Sequence, residues 1–403
     1  MWGVASPGRS VTVEFGGMVR TVQAGRAGEW RVELGPLDAS AIGRELLVQD
    51  DAGETVKFKN VLVGEVWLCS GQSNMEYTMR KNSKFDTVEE AGDAEIRLFL
   101  VGTHYSRRET RGVWTPAVGE GLRAFSAPGY FFAKELHDRL HVPVGVIANA
   151  VPGSAIEPFL GDSGKFYTTM VKPLAPYGIR GFCWYQGETN CFENDTVAYP
   201  GKMKKLIEGW RGIWEGADLP FYFVQIAPFY YSKSSGGSQA HSVESEADFW
   251  GAQEKALALP NTGMVVTSDL VDSLQDLHPG HKRTVGRRLA LWALAKDYGQ
   301  EVAYSGPVFK SLVVKGRKIG LVFNEVGSGL ISHNGKALDW FEVAGPDGKF
   351  VPAKAKIDGG DKVVLSSGVK DPKVVRFGWN EAAQPNLFNK EGLPAMPFRV
   401  NVD

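Results

Sequence analysis

Glu65-Val66-Trp67-Leu68-Cys69-Ser70-Gly71-Gln72-Ser73-Asn74-Met75-Glu76 completes an apolar run that opens at Val61 and breaks abruptly into small and polar residues. The run reads as a buried strand and the break as a tight turn beyond its carboxyl end. Ser73 stands in that turn between two amides, Gln72 and Asn74. A strand that ends in a sharp turn can hold a hydroxyl clear of the sheet, where a base reaches it. Alone, the segment would read as an ordinary polar turn. Two later segments change that reading. Gly181-Phe182-Cys183-Trp184-Tyr185-Gln186-Gly187-Glu188-Thr189-Asn190 is a second apolar run that breaks into amides and a carboxylate, and Gln275-Asp276-Leu277-His278-Pro279 sets an acid two residues before a histidine. Together the three supply a nucleophile, oxyanion donors, a base and an orienting acid.

Outward from these segments, apolar runs near 61–68, 96–101, 142–149, 181–185, 221–226 and 263–267 alternate with helical patterns. Phe132, Leu136 and Leu140 share one helical face; so do Met203, Leu206, Ile207, Trp210 and Trp214, and again Val285, Leu289 and Trp292. Strand–helix alternation predicts an α/β domain with a parallel sheet covered on both faces. Residues 1–60 alternate polar and apolar in short runs and predict a small β module; residues 301–403 return to β, with turns at Gly345-Pro346-Asp347-Gly348 and Asp358-Gly359-Gly360-Asp361. The expected domains are 1–60, 61–300 and 301–403. Ligands of open parallel sheets bind beyond the carboxyl ends of the strands. Ser73, Gly153, Gln186 and the Asp276–His278 pair each follow a strand, so all fall on one rim.

The 403 residues leave room for two or three domains and ample core. Forty-five basic and 46 acidic residues give a net charge of -1, without the positive footprint that nucleic acid requires. No apolar stretch approaches the roughly 20 residues of a membrane helix. Three cysteines, Cys69, Cys183 and Cys191, suggest no disulfide framework. His278 and His281 have a metal-like spacing without further ligands, and no metal or organic cofactor is expected. Gly161-Asp162-Ser163 has no suitable strand before it. The polar segment 232–239 reads as a surface loop or, because it follows a central strand, as an active-site lid.

The three segments resemble the sialate O-acetylesterase-like branch of the SGNH hydrolases. Residues 65–75 repeat that family's first block nearly letter for letter; Trp184 to Asn190 resembles its WYQGE-x-N, and Asp276 to Pro279 its DxHP. A fourth resemblance, Phe388 to Arg399, carries no assignable chemistry. The resemblance implies a flavodoxin-like parallel sheet flanked by β-sandwich-like modules. It also implies an exported protein, secreted or periplasmic, although Met1-Trp2-Gly3-Val4-Ala5 lacks the pattern of a secretion signal. Relatives usually carry another strand before the match to Trp2-Gly3, so the first module is expected to be truncated.

Each candidate residue has an expected role. Ser73 is the nucleophile and His278 its base, since histidine titrates near neutrality. Pro279 suits the first position of a helix, which would fix His278 at its start. Asp276 orients the imidazole; only Leu277 separates the two, where many SGNH enzymes have two residues, and Asp272 and Asp269 are the alternates. The backbone N–H of Ser73 and of Gly153 would face the developing oxyanion. The family's third donor is a side-chain amide, matched by Gln186 with Asn190 as fallback, while a structural amide competes as the reading of Gln186. Glu188 would bind substrate or brace its block. Trp184, Tyr185, Phe229, Tyr230 and Tyr231 could stack a sugar or belong to the core.

The resulting expectation is a serine esterase that removes acetyl groups from a sugar or oligosaccharide through an acetyl-enzyme. Acetylated xylan or another plant polysaccharide is an alternative substrate. A carbohydrate-binding protein with an inert central domain is an alternative of another class, and a glycosidase using Glu157 and Glu188 a weaker one.

Overall fold

The computed structural model describes residues 1–83, 92–102, 112–175, 177–216, 218–234, 236 and 240–402. Its centre is a seven-stranded sheet built from β1 (Glu65–Gly71), β2 (Asp93–Leu100), β3 (Trp114–Ala117), β4 (Val144–Ala150), β5 (Gly181–Tyr185), β6 (Phe221–Val224) and β7 (Thr262–Val265). The spatial order is β7-β6-β5-β1-β4-β2-β3. All neighbours run parallel except the edge pair β2–β3, which is antiparallel. Strands β4 and β5 are buried at every position. Their continuous apolar pattern is what a sheet covered on both faces demands.

The helices α1 (Ser73–Glu76), α2 (Ala127–Leu140), α3 (Glu188–Phe192), α4 (Tyr199–Ile213), α5 (Ser245–Glu254) and α6 (Lys282–Lys296) surround this sheet. Two apolar cores result. One face joins Trp67, Cys69, Phe132, Leu136, Val285 and Leu289. The other joins Leu68, Phe182, Trp184, Met203, Leu206 and Trp210. The periodic residues of α4 are at most 1% exposed at Met203, Leu206, Ile207 and Trp210. Each such side chain contributes about 1.5–3 kcal/mol of burial, which offsets the modest helix propensity of this Gly- and Trp-containing segment.

Two sequence expectations are corrected, and one strand was missed. The run from Val61 to Leu68 is not one strand. It divides at Gly64: Thr55–Val63 belongs to the N-terminal sheet and β1 starts at Glu65, whose N–H bonds the Pro143 carbonyl at 3.0 Å. Strand β3 was not anticipated, because its four residues carry a proline and little apolar periodicity. The last helix begins at Lys282 with His281 as N-cap, three residues beyond Pro279. There the Lys282 N–H turns back to the Gly280 carbonyl at 2.7 Å, leaving His278 and Pro279 in the preceding loop.

Before the central sheet lies a four-stranded antiparallel sheet, with Val11, Val13, Phe15, Trp30 and Leu46 inside. After it come two four-stranded sheets and a two-stranded pair, with Leu321, Phe341, Val343, Val375, Phe377 and Phe398 in the core between them. The fourth sequence block belongs here. Asn389, fully buried, accepts the Leu393 N–H at 2.9 Å and donates to the Ser305 carbonyl at 3.0 Å, so the block closes a hairpin.

Candidate active site

Three strand ends define the site. Gly71 closes β1 between Ala150 of β4 and Tyr185 of β5. The next N–H, from Gln72, bonds the Tyr185 carbonyl at 3.0 Å, and the Val151 N–H bonds the Gly71 carbonyl at 2.9 Å. Strand β1 is therefore held from both sides at the point where its chain turns. Gly71 has φ +138°, and a Cβ there would lie 2.1 Å from the Tyr185 carbonyl oxygen. Only glycine fits.

Beyond that turn Ser73 is the first residue of α1. The Ser126 hydroxyl donates to the Met75 carbonyl at 2.6 Å and accepts the Gly129 N–H at 3.1 Å, so the N-cap of α2 also anchors the turn that carries Ser73. Gln72 reaches the other way. Its Oε1 accepts the N–H groups of Gly187 at 3.2 Å and Thr189 at 3.4 Å, where α3 starts.

His278 Nε2 lies 2.8 Å from Ser73 Oγ. The two residues are 205 positions apart, and both are half-buried. Burial, followed by the nearby Lys282 ammonium, holds the imidazole below its ordinary pKa; Asp276 pulls it upward, and Lys81 adds to the lowering. The imidazole is thus neutral at neutral pH, with a lone pair for the serine proton.

Asp276 Oδ1 accepts the backbone N–H of His278 at 2.8 Å, and the carboxylate is exposed. It fixes the residue's backbone; among the described residues no bond from the Asp276 carboxylate reaches the ring. The alternate acids are occupied elsewhere. Asp269 forms a two-pronged pair with Arg288 at 2.7 and 2.6 Å, and Asp272 pairs with His281 at 3.1 Å.

Gly153 sits on the same rim with φ +70°, exposed, and nothing lies within 4 Å of where a Cβ would stand. Gln186 and Asn190, expected as oxyanion donors, are engaged inside the protein instead. Gln186 Nε2 donates to the Ser154 carbonyl at 3.3 Å and to Asn190 Oδ1 at 2.7 Å, while its Oε1 accepts from Tyr199 at 2.9 Å. Asn190 donates to Glu157 and Asp195 and accepts the Ile156 N–H at 2.9 Å. With both N–H groups of each amide taken, the pair pins the 153–156 loop that carries Gly153. Glu188, 1% exposed, braces rather than meets substrate: its Oε1 accepts from Asn74, and burial raises its pKa.

Of the aromatic candidates, Trp184, Tyr185 and Tyr231 are core residues, at most 1% exposed. Phe229 and Tyr230 are half-buried, and Lys233 Nζ stands 3.5 Å over the Tyr230 ring. The 232–239 segment starts with Ser232 bonded through its N–H to Glu381 Oε2 at 2.9 Å; positions 235 and 237–239 lie outside the described residues. Among the described residues no group of His, Cys, Asp and Glu could hold a metal ion.

The sequence reading missed Asn74 and Lys282. Lys282 Nζ donates to Asn74 Oδ1 at 2.6 Å, and Asn74 Nδ2 donates to the Leu277 carbonyl at 3.0 Å, directly before His278. A lysine four residues after His278 was the available signal.

Carbohydrate esterases described as sialic acid-specific acetylesterases share a family profile that matches residues 63–295, more than half of the chain. The chain belongs to this family. Human sialate O-acetylesterase is 28% identical over 365 residues, covering 76% of this chain and 69% of its own. The rat sialate O-acetylesterase is 24% identical over 498 residues, covering 100% of this chain and 91% of its own. The crystal structure of a carbohydrate acetylesterase from Xanthomonas citri superposes with a TM-score of 0.89 at 38% identity, over 100% of this chain and 95% of that one. This member of the family is a carbohydrate O-acetylesterase with the expected α/β fold and flanking β sheets, and it removes O-acetyl groups from sugars. The binding-protein and glycosidase readings are not favoured over it. Among the described residues no helix is long and apolar enough to cross a membrane.

Proposed function

We propose that this esterase works by serine acyl transfer, with Ser73 as nucleophile and His278 as general base and acid. The 2.8 Å approach of His278 Nε2 to Ser73 Oγ carries the reading. Ser73 Oγ attacks the acetyl carbonyl carbon as its proton passes to Nε2. The carbonyl oxygen gains negative charge, which the backbone N–H groups of Ser73 and Gly153 receive. The bond to the sugar oxygen then breaks, and that oxygen takes the proton from His278. Water, deprotonated by the same imidazole, releases acetate and restores the serine. Asp276 keeps His278 in place through its backbone and stabilises the imidazolium electrostatically. Gln186 and Asn190 position the Gly153 loop.

Acetylated sialic acid is the substrate named by the family, and acetylated xylan is the alternative within the same chemistry. Comparing acetate release from the two separates them. The place of action is secreted or periplasmic, a reading supported by the family resemblance.

The deciding experiment is hydrolysis of 4-nitrophenyl acetate by wild type and by Ser73→Ala, with circular dichroism of both. Turnover by wild type and a loss of about 10⁴-fold or more in the variant is expected. Equal activity in a folded Ser73→Ala variant refutes the serine mechanism.

A further inference from the structure

Among the described residues, Lys282 is the most deeply placed cation beside the Ser73–His278 pair. It is 1% exposed, and its ammonium lies 5.0 Å from the Tyr77 ring centre and 5.1 Å from that of Tyr185. Burying a charged lysine is costly unless it is compensated. Here the compensation is Asn74 Oδ1 at 2.6 Å, the two aromatic faces and the carboxylates of Glu188 and Asp276.

We propose that Lys282 is a positioning residue for the Ser73–His278 pair, acting through the Asn74 amide on the backbone that carries His278. An ammonium only donates, so it draws the amide oxygen toward itself and turns the amide NH2 the other way. That NH2 meets the Leu277 carbonyl at 3.0 Å and Glu188 Oε1. Asn74 follows the nucleophile in sequence, and Leu277 precedes the base. One side chain thus ties both reacting residues together, and Lys282 sets which way it points. Without that donor the Asn74 oxygen is left buried and unpaired, which weakens the hold of this side chain on both loops.

The charge of Lys282 acts on the base as well. Among the described residues, the charged groups facing His278 are Lys282 of α6, Asp276 of its own loop and Lys81 of the one-turn helix Met79–Asn82. Those facing Lys282 are Glu188 of α3 and Asp276. Burial draws the Lys282 ammonium down to about 7, with Glu188 and Asp276 opposing. Removing a cation beside the imidazole should raise the pH at which the ring titrates, an effect that packing alone would not produce.

This inference rests on the Ser73–His278 reading, so the test pairs an activity measurement with one independent of activity. Lys282→Met keeps an unbranched stem for the tyrosine rings and removes the donor and the charge. The expected result is a folded variant whose kcat on 4-nitrophenyl acetate falls by about 10–100-fold with KM little changed. Its His278 ring should titrate at higher pH by NMR than in wild type, and Lys282→Arg should recover part of the kcat. A folded Lys282→Met variant with wild-type kcat and an unmoved His278 titration overturns the proposal. If Lys282→Met does not fold, Asn74→Ala decides: a comparable fall in kcat supports the relay, and a wild-type kcat overturns it. If wild type releases no acetate at all, the esterase mechanism fails on its own, and the His278 titration still tests Lys282.

Discussion

At the scale of the residue, His278 does two things that pull its titration in opposite directions. It sits half-buried beside Lys282, which disfavours the imidazolium, and its own loop carries Asp276, which favours it. Burial and the lysine prevail, so its pKa lies below the ordinary value of about 6.5. In the proposed mechanism the working form is the neutral ring, and it is lost as pH falls through the lowered folded-state pKa. The acid limb of kcat/KM should therefore fall below pH ~6.5, with activity retained at pH values where a solvent-exposed histidine would already be half-protonated. A limb centred at or above that value would show that Asp276 outweighs burial. That His278 would meet Ser73 was an expectation of the sequence, because each stands in a sharply bounded block with its own polar signature. The engagement of Gln186 and Asn190 was not. An amide after a strand looks the same whether its N–H groups face substrate or a neighbouring loop.

At the scale of the element, the site depends on how closely β1 and β5 approach. Gly71 lies with its missing Cβ against the Tyr185 carbonyl, and the Gln72 N–H uses that same carbonyl. Gly71→Ala forces the strand ends apart and places alanine at φ +138°. A loss of about 1–3 kcal/mol is expected by urea denaturation, together with a fall in kcat as Ser73 moves from His278. Wild-type stability and turnover in this variant would mean that the strand ends yield without cost. The helices read correctly where apolar periodicity was sustained, as in α2 and α4. The start of α6 did not: a proline after His278 is a generic helix-start signal, and only the turn at Gly280 moved the helix three residues on.

At the scale of the whole molecule, the C-terminal sheets are fastened to the central sheet by side chains that no local pattern pairs. Arg376, 6% exposed, bonds Glu342 of its own sheet at 2.8 Å and Glu244, beside α5, at 2.7 Å. Trp379 Nε1 donates to Asp248 of α5 at 3.0 Å, its ring packs on Gly251, and it belongs to the same apolar core as Phe182 and Trp250. Glu381 accepts the Ser232 N–H at the start of the 232–239 segment. Trp379→Ala should destabilise the protein by about 3–5 kcal/mol. Because the core is shared, calorimetry of wild type should show the catalytic and C-terminal parts melting in one transition. Two separate transitions in wild type, or an unperturbed Trp379→Ala variant, would show that the modules are energetically independent.

The sequence by itself determined the strand–helix alternation, the turn that presents Ser73, and the placement of the candidates beyond strand ends. These are properties of local pattern and composition, and they need no knowledge of what lies across the sheet. The tertiary structure decided which groups face the opening and which face inward. It brought His278 to Ser73 across 205 positions, engaged Gln186, Asn190 and Glu188 with neighbouring segments, and joined Lys282 to Asn74 beside Ser73. Those outcomes depend on hydrogen-bond partners and burial supplied by distant segments, and a short motif records the identity of a side chain but not its partner.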